Sequence, residues 1–263
     1  KHNGKLVSNR ALTVRGGAGP LDPVITAKLA TTLVGIDTGL AILFPSVHKI
    51  SNNLPQSPIL DFKVKYINYL AASHGLVAAC LLFGGSCINT AVGAGLLLSI
   101  VPLCTAILTG KAKEFGFEAS RLYISAIIGA VASCWLFANG KYANYLIKFI
   151  SLQSGVNALG LMLVPLKAKA IWGLPYAGST TTDGAIAFHN RFLGGIILAA
   201  SVFYLCLAYG VDVPKAVGYG MIPTFITFFV TNFVTKEVEE FGLAKGRQFV
   251  LMALLAAFII ALT

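Results

Sequence analysis

No charged side chain interrupts residues 88–109, INTAVGAGLLLSIVPLCTAILT, a run long enough to cross a lipid bilayer as one helix. A membrane helix needs about 20 consecutive, mainly apolar residues. Similar apolar runs lie on both sides of it, so we expect eight spans in all. The spans are 24–46, 67–85, 88–109, 121–138, 145–165, 188–210, 214–234 and 246–262. The chain is therefore predicted to be an all-α integral membrane protein.

The composition favours this class and excludes several others. Of the 263 residues, 56% are hydrophobic and 11% are charged, whereas a soluble domain usually has about 25% charged residues. A disordered chain would be poor in apolar residues, and a disulfide-rich secreted chain would have many more than 5 cysteines. The formal net charge is +10, but the basic residues lie mostly at the ends of apolar runs. That placement predicts a lipid bilayer, and no nucleic acid, as the partner.

A short small-residue motif occurs twice in the chain. The sequence AVGAG at 91–95 recurs as AVGYG at 216–220, an offset of 125 residues. Further matches lie in the same order, among them GID at 35–37 with GVN at 155–157, and FGF at 115–117 with FGL at 241–243. The offset drifts by six residues in all, and we expect each change to fall in a loop or a turn. The pattern indicates an internal duplication.

The duplication predicts the organisation of the whole chain. A basic N-terminal tail (1–23) precedes two repeats of four helices each (24–138 and 139–263). Because each repeat has an even number of spans, both should insert in the same direction and be related by a twofold axis along the membrane normal. Gly93 and Gly218, at matching positions of the repeated motif, are expected to let another helix approach closely.

Asp37 is an acidic residue deep within a predicted span, and its counterpart in the second repeat is Asn157. An ionised carboxylate costs about 2.5–3.5 kcal/mol at the centre of a membrane helix, so it should be paired, protonated or facing water. A twofold relation would bring Asp37 and Asn157 together as a proton or cation site. The alternative is a structural hydrogen bond from a protonated Asp37. Both residues are candidate ligand-binding residues.

His74, in the second predicted span, is the third candidate binding residue. A neutral imidazole can ligate the magnesium of a chlorophyll or a haem iron, and Gly75 beside it would leave room for a flat ring. The alternative is a buried histidine bonded to a backbone carbonyl. His189 is expected at the membrane interface. Arg247 is expected either to anchor the last span at the lipid head groups or to cap the preceding loop. No catalytic residue or metal site is predicted, because no matching constellation is present.

The segment VRGGAGPLDP, from Val14 to Pro23, resembles the start of mature plastid proteins in algae with secondary plastids, such as diatoms. The run RFLGG at 191–195 is similar to that in small four-helix membrane proteins. The first resemblance implies a location in the plastid thylakoid membrane. It also implies photosystem or light-harvesting proteins as partners and chlorophyll or carotenoid as a bound pigment.

Two functions are expected from these observations. The first is an accessory, non-catalytic subunit of a larger membrane complex, a photosystem with its antenna, which binds neighbouring subunits and pigment or lipid. The second is a secondary transporter or channel for a proton, a cation or a small solute, with its pathway at the interface between the repeats.

Overall fold

The computed structural model describes residues 22–51, 53, 58–114, 119–165, 180–240 and 242–263. In these residues the regular secondary structure is helical. In the first half the helices are α1 (Pro23–Leu43), α2 (Pro45–Ser51), α3 (Pro58–Ala71), α4 (Ala78–Phe83), α5 (Ile88–Leu108), α6 (Lys111–Glu114) and α7 (Ala119–Phe137). In the second half they are α8 (Ala143–Leu163), α9 (Thr180–Ala208), α10 (Val213–Phe229), α11 (Glu237–Glu240) and α12 (Lys245–Leu262). Two segments are π-helical. The first, Ala72–Val77, connects α3 to α4, and the second, Val230–Val234, extends α10.

Several sequence predictions fall partly or wholly outside the described residues. The basic tail at 1–23 lies outside them except for its last two positions. The FGF motif at 115–117 lies outside them entirely. Its partner at 241–243 is described from Gly242 onward.

Seven of the described helical stretches are long and apolar enough to cross a membrane, judged by length and composition. They are Pro23–Leu43, Val64–Phe83, Ile88–Leu108, Ala143–Leu163, Ala187–Ala208, Val213–Val234 and Lys245–Leu262. The apolar part of α7, Leu122–Phe137, is shorter. At 1.5 Å per residue it covers about 24 Å, less than the roughly 30 Å of a hydrocarbon core. The all-helical class is confirmed, with seven candidate spans where eight were expected.

The outer faces of these helices are apolar. Ile127 and Val131 on α7, and Phe149 and Val156 on α8, are all more than half exposed. Contiguous exposed apolar surface on this scale marks contact with lipid or with another protein. The faces are therefore suited to a bilayer.

The first long helix of each half ends in the same way. Phe44 follows α1 with φ −129° and ψ 62°, and Val164 follows α8 with φ −131° and ψ 57°. A proline comes next in both places, Pro45 and Pro165. Because proline lacks an amide donor and restricts the residue before it, it stops a helix at this point.

Two turns also recur at a nearly constant offset. Gly85 and Gly210, 125 positions apart, have φ values of 88° and 81°, and Gly110 and Lys236, 126 positions apart, have 71° and 53°. The extra residue lies within the helix that ends in the π-helical segment Val230–Val234, since a π turn holds one residue more than an α turn. This change of offset falls inside a helix, and the expectation that it falls in a loop or turn is wrong here.

The paired glycines are points of close helix contact, as predicted. A Cβ on Gly93 would lie 3.3 Å from Cβ of Leu136 in α7. A Cβ on Gly218 would lie 2.7 Å from Cβ of Leu262 in α12. In both halves the glycine therefore lets the last long helix pack closely against the third, as small residues do in membrane interfaces.

The main core occupies one end of the helix bundle, where α1 begins and α12 ends. It is rich in small side chains, among them Ala27, Ala30, Ala78 and Ala91, which let the helices approach closely. Towards the other end of α1 and α12 the two halves leave a cavity between them. The small-residue core thus holds the halves together at one end and leaves the other end for a site.

Candidate functional site

A cavity of about 450 Å³ lies between the two halves of the chain. Its walls come from α1, α2, α3, the following π segment and α4 on one side, and from α9, α10 and α12 on the other. Small-molecule sites in proteins usually have volumes of about 300–1,000 Å³, so the space is large enough for a ligand.

Most of the cavity wall is apolar and aromatic. Phe188, Phe192, Phe203, Phe228 and Phe258 all line it. The ring centroids of Phe188 and Phe192 are 4.6 Å apart, and those of Phe192 and Phe228 are 4.7 Å apart in an edge-to-face arrangement. Paired rings of this kind form a firm wall that suits hydrocarbon or another aromatic group.

One end of the cavity is charged. Nη2 of Arg247, in the first turn of α12, donates to Oδ1 of Asp37, in the last third of α1, at 2.6 Å. The other guanidinium nitrogen, Nη1, donates to the hydroxyl of Ser51 at the end of α2. The charges of the pair cancel, so this end of the cavity is strongly polar but has little net charge.

His48 adds an imidazole to the same end. It lies on the short helix α2 and lines the cavity. Burial lowers the pKa of His48 below its ordinary value of 6.5; the nearby Asp37 carboxylate raises it and the Arg247 guanidinium lowers it further. The net direction is downward, so this imidazole is neutral at neutral pH.

Two buried polar side chains complete the polar end. Gln248 is 3% exposed and lines the cavity, and its Oε1 has no hydrogen-bond partner among the described residues. A buried acceptor without a partner is costly, so Oε1 of Gln248 lowers the stability of this part of the fold. His189 also lines the cavity and is buried in the bundle. It is the third residue of the candidate span Ala187–Ala208, and its place at the membrane interface stays a prediction.

The predicted contact between Asp37 and Asn157 is not the one that Asp37 makes in the structure. Asp37 forms its ion pair with Arg247, and Asn157 lies on α8, which packs mainly against α9. The partner of the intramembrane acid is therefore a base from the last helix. Of the three states expected for Asp37 (paired, protonated or facing water), the structure shows the paired one.

His74 lies in the first π segment, away from the large cavity. Its Nδ1 is 3.2 Å from the carbonyl oxygen of Leu70, and its own carbonyl accepts a hydrogen bond from the hydroxyl of Tyr204 in the other half. The adjoining space is about 20 Å³, enough for one water molecule but not for a tetrapyrrole ring. The residues around His74 do not fit a chlorophyll or a haem, and the alternative of a carbonyl-bonded histidine describes its contact.

Sequence reasoning did not identify Gln248 or His48 as site residues. One signal for Gln248 was available, because it is an uncharged polar residue within a helix that is otherwise apolar from Phe249 to Leu262. No comparable signal exists for His48, whose position depends on how α2 folds back after Pro45.

No family model, no curated protein and no solved structure matches the chain. The thylakoid location, the photosystem partners and the pigment therefore stay predictions from the sequence.

Proposed function

We propose that this protein is an integral membrane protein that binds an elongated, largely apolar molecule with a polar head in the cavity between its halves. The observation that supports this most directly is the polarity of the cavity, which is aromatic and aliphatic along most of its wall and polar at one end. A ligand of matching polarity would pack its chain against the phenylalanines and place its head at the polar end.

The cavity is also accessible from the side. Leu33 on α1 and Leu254 on α12 line it and are 41% and 44% exposed. These two helices meet along the flank of the bundle, where the Asp37–Arg247 pair joins them. We propose that a molecule dissolved in the bilayer enters between α1 and α12.

The duplicated architecture is part of the proposal. The helix ends at Phe44 and Val164, the turns at Gly85 and Gly210, and the close contacts of Gly93 and Gly218 support two four-helix units with the same insertion direction. In such an arrangement the space between the units is where membrane proteins with parallel repeats hold their substrates.

Cavity filling provides the experiment. Gly75 lines the cavity and nothing lies within 4 Å of a Cβ built on it, so Gly75→Phe should occupy the cavity without a clash at Cβ. Gly160 on α8 is equally open and lies outside the cavity, so Gly160→Phe is the matched control. Lipid extracts of the purified proteins are then compared by mass spectrometry.

We expect the wild type and Gly160→Phe to retain a tightly bound amphiphile that Gly75→Phe has lost. Equal ligand content in all three proteins, with Gly75→Phe well folded, would contradict binding in this cavity.

Transport of the bound molecule is the second candidate, favoured by the position of the cavity between the two proposed units. Vesicles containing the protein should then move a fluorescent amphiphile between leaflets faster than protein-free vesicles. An unchanged rate would leave a binding protein in place of a transporter.

A further inference from the structure

We infer that the bound molecule is a lipid that enters from one leaflet only, the leaflet at the end of the bundle where α1 ends and α12 begins. This leaflet is called the near leaflet below, and the opposite one the far leaflet. The inference rests on the proposed function and specifies the source of its ligand. The lipid keeps its ordinary orientation, with its head group at the near surface and a chain in the cavity.

The polar end of the cavity lies close to the near surface of the membrane. Asp37 is six residues before the end of α1, and Arg247 is two residues after the start of α12. At about 1.5 Å per residue, these positions are about 9 Å and about 3 Å from the ends of their helices. A head group beside this ion pair therefore lies on the near side of the bilayer and away from its centre.

The lateral opening ends near the middle of the bilayer. Its deepest exposed lining residues are Leu33, ten residues before the end of α1, and Leu254, nine residues after the start of α12. These separations correspond to about 15 Å and about 14 Å along the helices, and half of a hydrocarbon core is about 15 Å. The opening therefore extends over the near leaflet alone.

Close packing separates the cavity from the far leaflet. Ala27 and Ala30, on the far part of α1, are fully buried in the main core. Leu262, in the last turn of α12, belongs to the same core and lies against Gly218 of α10. In the part of the chain that the structure describes, α1 and α12 are thus joined through the core at the depth of the far leaflet.

The length of the cavity matches a lipid chain. Along α12 the lining runs from Arg247 to Phe258, which are eleven residues or about 17 Å apart. A lipid chain in one leaflet covers about half of the hydrocarbon core, or about 15 Å. A lipid with its head group beside the Asp37–Arg247 pair can therefore place one chain along the phenylalanines without turning over.

Leaflet-selective photolabelling tests the inference. The full chain, with an affinity tag after Thr263, is reconstituted at low density in phosphatidylcholine vesicles. Because α12 ends on the far side, capture by the tag separates vesicles with the far side outward from those with it inward. Phosphatidylcholine with a diazirine on its chain is then loaded into the outer leaflet alone and irradiated at once, before it changes leaflets.

We expect label on Leu251 and Phe258, which line the cavity, when the near leaflet is loaded, and loss of this label when the far leaflet is loaded. Ile127 and Val131, exposed in the middle of α7, should be labelled in both cases and control for loading. Gly75→Phe should lose the cavity label and keep the label on α7, which also shows that the variant is folded.

The failures of the two proposals are distinguishable. Equal cavity label from both leaflets, or label from the far leaflet alone, would overturn the inference and leave lipid binding in place. Label on α7 with no cavity label from either leaflet would remove the proposed function together with the inference.

Discussion

Arg247 and Asp37 join the last long helix to the first, with Nη2 of the guanidinium 2.6 Å from Oδ1 of the carboxylate across 210 positions of sequence. Both side chains are partly exposed, at the place where α1 and α12 flank the cavity. The pair is therefore both a link between the halves and part of the wall next to the proposed entrance.

The strength of this link can be measured with a double-mutant cycle. Asp37→Ala, Arg247→Ala and the double variant should give a favourable coupling free energy of at least about 0.2–1 kcal/mol, the range for ion pairs that are exposed to water. Reversible unfolding in a mild detergent provides the free energies. Strictly additive single effects would show that the contact does not stabilise the fold.

Gly95→Ala should be among the more destabilising single-methyl changes. Its new Cβ would lie 2.6 Å from the hydroxyl oxygen of Tyr204 and 2.8 Å from the carbonyl oxygen of Ser73. Because the second of these is backbone in a π segment, the helices must shift, at a cost of about 1–3 kcal/mol.

Gly39→Ala is the control for that substitution. Nothing lies within 4 Å of a Cβ built at Gly39, and the residue is in the interior of α1. The change should stabilise the helix by up to about 1 kcal/mol through propensity alone. Thermal unfolding of both variants checks the difference, and a Gly95→Ala protein as stable as the wild type would refute the close contact.

Stability should fall in mild acid because of His48. Its pKa in the folded protein is lower than the ordinary 6.5, so the unfolded chain binds more protons as the pH falls through that value. Stability is then fully present above about pH 6.5 and is lost progressively below it. His48→Gln should reduce the drop in unfolding temperature between about pH 7.5 and about pH 5.5. A variant with the same drop as the wild type would assign the effect to another group.

Lys49 and Asp61 form a second ion pair, in which Nζ and Oδ1 are 2.6 Å apart and the lysine side chain is 1% exposed. Asp61→Asn leaves the buried ammonium without its counter-charge and should cost about 3 kcal/mol. Lys49→Met with Asp61→Asn removes both charges and should recover most of this loss. Urea unfolding compares the variants, and a double variant less stable than Asp61→Asn would reverse the argument.

Sequence predicted the helices better than their ends. An apolar run of about 20 residues has few alternatives in a membrane, so seven of the eight expected spans have a counterpart among the candidate crossings. The helix of the sixth predicted span, α9, starts at Thr180 and not at residue 188, because its polar first turns carry no apolar signal. The π segments were not predicted either, because one additional residue in a turn barely changes the pattern of an apolar run.

The sequence predicted one residue of the candidate site, Asp37, but not which residues lie around it. Asp37 was found because an acid within an apolar span is conspicuous, and its need for compensation followed from the cost of a charge in lipid. Its partner could not be found from local sequence, because Arg247 reaches it only through the packing of α12 on α1. Symmetry suggested Asn157, but Asp37 binds Arg247 in the structure.

The hydroxyl of Tyr204 donates to the carbonyl of His74, and the side-chain amide of Asn53 donates to the carbonyl of Gly242; each contact crosses from residues 24–138 to residues 139–263. These bonds and the alanine core do not depend on the peptide bond between Ala138 and Asn139. Severed at that junction and co-expressed as two polypeptides, the fragments should recognise one another and reassemble, as complementing pieces of a split protein do.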